Sequence, residues 1–283
     1  MTILRLPPFS AALTAFLIVA SLLFPAAPAQ AADRSRVMSF LEVTGFDVAL
    51  DSIALSASGA PQMLGLEAGD FGVGWSRMAD QVFDTGRMRD LALDILVDTL
   101  EDTALAHAEA FYGSALGQRL VAAENASHMI EDDEVKQIAG QRIIADLVRE
   151  GSDRIALLQR MNQAIDAADT GVKAVQQIQF RFIMAASAAG VIDLQLDAEG
   201  LRAWQRDQAP SMRMALNASA MAASAYTYQG FTDAEVDAYV RALETPLMQQ
   251  VYELLNAVQY EITANRFEEL AFRMQDLGQG EEL

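Results

Sequence analysis

The stretch AFYGSALGQRLVAAEN, Ala110–Asn125, occurs twice in this chain in altered form. Set against Ala242–Asn256 at a shift of 131 positions, Ser114 falls on Thr245, Leu116 on Leu247, Gln118 on Gln249, Leu120 on Val251 and Asn125 on Asn256. Upstream, Asp102 meets Asp233 and Leu105 meets Val236. Such a trace is left by internal duplication, and each copy has the pattern of a short helix, a break and a longer helix. In the first copy Gly113 follows an apolar-periodic segment, where a left-handed glycine ends a helix. Ser114 then offers its hydroxyl to the free amides of the next helix. In the second copy Thr245 takes the cap and Pro246 the first turn, where its missing N–H costs nothing. Pro246 also disfavours helical geometry at Thr245 and so fixes the boundary. Cap chemistry accounts for all these residues. The alternative is that Tyr112, Ser114, Gln118 and Arg119 line a groove at the elbow. Leu243 replaces Tyr112 and Gln250 replaces Arg119 in the second copy, so any such groove exists once.

The segment FYGSALGQRLVAAE resembles the Phe-Tyr-x-Ser/Thr-Pro-x-Gly-Gln-x-Leu signature of the bacterial family called domain of unknown function 2059. Phe111, Tyr112, Ser114, Gly117, Gln118 and Leu120 match it, and Ala115 stands where that family usually has proline. The run Met38–Leu55 is similar to that family's opening helix, which commonly reads Leu-Leu-Glu-Leu-Thr-Gly. The resemblance implies an α-helical, exported protein of unassigned function, and it supplies no catalytic residues.

Residues 1–31 read as a secretory signal. Arg5 is the positive n-region, Ala11–Phe24 the apolar core, and Ala29-Gln30-Ala31 a small-x-small cleavage site. The apolar run of 14 residues is short of the ~20 that span a bilayer, so no anchor is expected in the mature chain. Cleavage between Ala31 and Ala32 leaves 252 residues with a net charge of −20, because the signal removes only Arg5 from a chain of −19. Such a surface repels nucleic acid and anionic bilayers. Basic envelope proteins, cations and neutral ligands remain as partners. The absence of cysteine excludes disulfides and thiolate metal sites.

Helical spacing runs through the remainder. Val37, Phe40, Leu41, Val48, Ile53 and Leu55 fall on one face, with Gly45 as a break. Gly59–Trp75 carries five glycines and Pro61; it reads as a linker or loose helix–loop, since no strand precedes it and no lysine follows, as a phosphate loop would require. Asp90, Asp94, Asp98 and Asp102 recur every four residues as a solvated stripe, whereas calcium needs oxygens that converge on a point. Glu131–Glu134 open a helix whose apolar positions are Val135, Ile138, Ile143, Ile144, Leu147 and Val148. Phe182–Ile192 is apolar on every side and reads as a buried central helix. Asp193, Asp197 and Glu199 fail the EF-hand pattern, because Arg206 would occupy its twelfth position. Met212, Met214 and Met221 read as core filling rather than a soft-metal site. The last long helix runs from Thr245 to about Met274.

His107 and His128 lie 21 residues apart, without zinc-site spacing, and neither HExxH nor GxSxG occurs. A triad of Ser114, His128 and an acid could be assembled only by the fold. The expectation is an all-α, multi-helix bundle built from two related helical hairpin units, without metal or cofactor. It forms a single domain over 32–283, with related halves around 90–170 and 211–275. The leading functional expectation is a periplasmic, non-catalytic binding or interaction protein. The alternatives are an envelope hydrolase using residues near Tyr112–Gln118, and a small-ligand or lipid carrier with its groove between the hairpins. The motif residues are Phe111, Tyr112, Ser114, Gly117, Gln118, Thr245 and Pro246.

Overall fold

The computed structural model describes residues 33–66, 68–71, 74–165 and 169–278. The signal segment and its Ala31–Ala32 junction lie outside the described residues. The chain is all-α, with no strand among the described residues. The helices are α1 (Arg34–Thr44), α2 (Phe46–Ile53), α3 (Ala60–Met63), α4 (Gly74–Val82), α5 (Thr85–Thr99), α6 (Asp102–Tyr112), α7 (Ala115–His128), α8 (Asp133–Glu150), α9 (Arg154–Ala164), α10 (Asp169–Ala188), α11 (Ala198–Thr227), α12 (Asp233–Leu243) and α13 (Pro246–Gly278). Helix α13 is covered on several sides, by α4, α5, α6 and α10, while α11 lies between α8 and α10. The middle of the core is Phe267 on α13, edge-on to Phe83 and to Phe182 with both ring centroids 5.3 Å away. Edge-to-face pairs of this kind contribute about 0.5–1.5 kcal/mol beyond the area they bury.

Each motif copy is a short helix followed, after a capped break, by a longer one. Helices α6 and α12 each have 11 residues and end at Tyr112 and Leu243, 131 positions apart. Ser114 caps α7 by accepting from the Gly117 amide at 3.0 Å, and Thr245 caps α13 by accepting from the Met248 amide at 3.4 Å. Pro246 is the first residue of α13. Each pair is also held by an arginine from a preceding helix. Arg36 on α1 reaches Asp102 at 3.1 Å, and Arg154 on α9 reaches Asp233 at 2.7 Å, the aspartates being the aligned pair. Exposed pairs of this kind are worth at most about 1 kcal/mol. The start of α12 is fixed independently by a capping box between Thr232 and Glu235, whose hydrogen bonds, with Arg119, draw the Glu235 carboxyl down to about 2.

Several expectations are corrected. Gly113 is not left-handed; its φ is −72°, and the α6 terminus closes instead by a tight turn from Ser114 N–H to Phe111 carbonyl. The glycine-dependent position is Gly117, where a Cβ would collide with the Phe111 carbonyl and the Tyr112 backbone. The 59–75 region carries α3 and the 3₁₀ turn Ala68–Phe71, in keeping with its helix–loop reading. The aspartate stripe is solvated as expected, Asp90 and Asp94 being mostly exposed, and it is also paired, Arg34 with Asp90 and Asp94 and Arg36 with Asp102. Helix α10 stops at Ala188, short of Ile192; Arg181 at the edge of that apolar run pairs with the carboxylates of Glu261 and Glu268, as an arginine there should. Met214 is 68% exposed rather than core.

Helix α8 departs furthest from its apolar pattern, with Val135 58% and Val148 64% exposed. Its only fully buried residue is Gly140. A Cβ at Gly140 would fall on the carbonyl oxygen of Ala222 in α11, so the two backbones touch there and no side chain can intervene. Alanine is favoured over glycine in a helix by ~1 kcal/mol, yet overpacking costs about 1–3 kcal/mol. Gly140→Ala is therefore expected to lower stability in chemical denaturation, with α8 separating from α11. A rise by the helix-propensity amount would refute the close approach.

Candidate functional site

Helices α2, α7, α11, α12 and α13 converge on a cavity of ≈ 300 Å³ that also reaches the ends of α1, α6 and α9. Four of the chain's six tyrosines, Tyr112, Tyr228, Tyr239 and Tyr252, gather there around one acid, Glu124. Tyr228 and Tyr239 donate to the same carboxylate oxygen, Oε1, at 2.7 and 2.9 Å. The Tyr239 hydroxyl also meets Tyr252 at 2.8 Å and Tyr112 at 3.2 Å, and Tyr112 and Tyr252 bond to each other. Oε2 accepts no hydrogen bond from a described residue. Phe111 backs the cluster, stacked on Tyr239 with centroids 5.7 Å apart.

Each member is positioned by local structure. Tyr112 is the last residue of α6, and Gly117 lets the α7 backbone press against it. Gln118 donates to the Tyr112 carbonyl at 2.6 Å, satisfying a helix-end group that would otherwise be orphaned. Tyr228 ends α11, where Arg154 donates to the Tyr228 and Phe231 carbonyls at 2.6 and 2.7 Å. Gly45 is left-handed at φ 72°, and a Cβ there would collide with Asn125 at the cavity rim. The rim's other polar groups answer one another: Ser224 donates to Asn162 at 2.8 Å, and Thr227 to Ser127 at 2.9 Å.

The electrostatics follow from burial. Desolvation raises the Glu124 carboxyl above its ordinary value, opposed by the hydrogen bonds from Tyr228 and Tyr239. Burial beside that acid and the other phenols holds Tyr112, Tyr228, Tyr239 and Tyr252 far above theirs, so all four stay protonated. His128 is lowered by burial and by Lys136, and Lys136 is itself engaged by Asp133 at 2.7 Å. No group of three or more acid or histidine ligands suited to a metal occurs among the described residues.

Of the motif residues, only Tyr112 lines the cavity, with Phe111 behind it. Ser114, Gly117, Gln118, Thr245 and Pro246 build the elbows. Thr245 also bonds His107 Nε2 at 2.9 Å, which ties the two copies together. The sequence reading missed Glu124, Tyr228, Tyr239 and Tyr252. A signal for three of them was present in the alignment at the 131-residue shift. It pairs Ala108 with Tyr239, Tyr112 with Leu243, Val121 with Tyr252 and Glu124 with Leu255, one polar and one apolar residue each time.

Residues 86–146 match the model of a family described as an uncharacterized protein conserved in bacteria, domain of unknown function 2059. The matched segment contains α6 and α7, and with them Tyr112 and Glu124. No curated protein and no solved structure matches the chain. No helix among the described residues is long and apolar enough to cross a membrane.

Glu124 carries a pH signature. The folded chain holds its proton to higher pH than the unfolded chain, whose carboxyl titrates near ~4.3. Stability therefore falls as pH rises from that value through the raised folded one, and levels off above it. Glu124→Gln keeps an acceptor for both tyrosines without this slope. Its stability relative to the parent should climb across the window in denaturation series from acid to neutral pH. A difference independent of pH would show that Glu124 is not held in a desolvated site.

Proposed function

We propose that this chain is an exported, non-catalytic binding protein of the bacterial envelope that holds a small ligand in the cavity between two related helical hairpins. The observation that carries this reading is the ≈ 300 Å³ cavity with a carboxylate on its floor, one of whose oxygens is left without a protein partner. Ligand sites are concave, mainly apolar and supplied with a few converging polar groups, and they begin at about this size. The one-sided polar substitutions at the four aligned pairs support a duplication whose copies diverged to make a single shared site. Export rests on the signal read in residues 1–31, and a periplasmic location on that signal together with the bacterial family match.

A hydrolase built on a Ser114–His128 pair is disfavoured by distance. Ser114 precedes α7 and His128 ends it, so they stand roughly 20 Å apart at ~1.5 Å of rise per residue. The Ser114 hydroxyl is occupied as a helix cap. A protein-interaction reading has one supporting feature: exposed apolar side chains on α8 and α11, Val135, Ile138 and Val148 with Trp204 and Met214. Exposed apolar side chains gathered on two packed helices suit a contact surface, and photo-crosslinking from position 204 in intact cells tests that second reading.

Native mass spectrometry of the protein secreted in its own host tests the first. The mass should correspond to residues 32–283 plus a bound small molecule. Ala223→Phe, which places a ring in the cavity, should abolish the added mass while leaving the chain folded. An equally bare mass for parent and variant sinks the ligand-binding reading, and a mass that still includes residues 1–31 sinks export by cleavage.

A further inference from the structure

We infer that the ligand of this cavity is a small organic ammonium ion, received at Glu124 Oε2; this inference rests on the binding reading above. It follows from counting protons on the cavity floor. Four phenols supply four O–H groups. Those of Tyr228 and Tyr239 are committed to Glu124 Oε1. Tyr112 and Tyr252 have two protons for the three remaining hydroxyl contacts, Tyr112–Tyr239, Tyr239–Tyr252 and Tyr112–Tyr252. Every phenol proton is thus consumed within the cluster. What the floor presents is acceptors, namely Oε2 and phenol lone pairs, set among aromatic rings. A carboxylate or phosphate ligand would meet no free phenol donor there and would face the charge of Glu124, leaving it only the amides of Asn125 and Gln259 on the walls. An ammonium group supplies the missing donors.

Charge leads to the same class. Of the ion pairs among the described residues none involves Glu124, although the arginines of this chain find acids on many other helices. Lys136, the cation at the rim, is engaged by Asp133. A partly desolvated carboxylate without a neighbouring cation is costly, and a cationic guest offsets that cost. Aromatic rings around a bound ammonium add cation–π attraction. A metal ion does not fit this floor, because calcium takes six to eight oxygens and the phenols keep their protons. The ≈ 300 Å³ volume sets the scale of a small amine rather than a peptide or lipid.

Three probes of one shape and different charge test this: benzylammonium, benzyl alcohol and benzoate, titrated calorimetrically into the mature chain at neutral pH. A hydrogen bond to a charged group is worth enough to make benzylammonium about tenfold to hundredfold tighter than benzyl alcohol. Benzoate should be the weakest. Glu124→Gln should bring benzylammonium down to the level of benzyl alcohol, and retained benzyl alcohol binding shows that the variant is folded. Benzyl alcohol or benzoate binding as tightly as benzylammonium, with all binding lost in Ala223→Phe, overturns the ammonium class and leaves the cavity a binding site. An ammonium preference that survives Glu124→Gln overturns the role of Glu124. Binding by none of the probes overturns the ammonium inference, and the mass of the protein from its host then decides the binding reading separately.

Discussion

Helix α13 is apolar around so much of its circumference that it persists in water only where other helices cover it. Met248, Val251, Val258, Ile262, Phe267, Leu270 and Met274 are all buried, and α4, α5, α6 and α10 pack over them. At ~0.8 kcal/mol per buried CH₂, this burial is the main force that brings sequence-distant helices together. Covering α13 also determines what lies at its N-terminal end. There Tyr252 and Leu255 meet α6 and α7, and the polar cluster forms where the apolar core stops.

The cluster works because helix packing controls which groups share a small volume. Tyr112 comes from the end of α6, Glu124 from α7, Tyr228 from the end of α11, Tyr239 from α12 and Tyr252 from α13. No two of these helices could bring four phenols to one acid. Partly satisfied polar networks in a low-dielectric site are expensive, so an open carboxylate oxygen within an otherwise closed network is informative. The protein tolerates it because that oxygen faces a cavity instead of packed side chains. Rigid supports keep it there, in particular the Gly117 contact under Tyr112 and the Arg154 clamp on the end of α11.

The two helix pairs share their cap and differ in their chemistry. Ser114 and Thr245 perform the same cap, and Asp102 and Asp233 receive arginines from α1 and α9. The side chains that face the shared space have no such likeness. Where α6 and α7 place Tyr112 and Glu124, α12 and α13 place Leu243 and Leu255; the sequence positions aligned with Tyr239 and Tyr252 hold Ala108 and Val121, which do not line the cavity. Identical polar residues on both sides would have set two acids against each other.

The sequence by itself determined what depends on local chemistry. Helical class, the elbows at Ser114 and Thr245 and the N-terminal boundary of α13 at Pro246 all follow from neighbours within a turn or two. Only the tertiary structure decided which face of each helix is covered. Val135 and Val148 have an apolar rhythm and yet lie exposed, because α8 meets α11 through the backbone at Gly140. Glu124 looks like one more acid in a strongly acidic chain, since no local pattern marks an acid whose partners lie 104 and 115 residues away. Burial and hydrogen-bond convergence are properties of the assembled helices. The site exists in the sequence only as scattered tyrosines, and it becomes chemistry when packing brings them to one carboxylate.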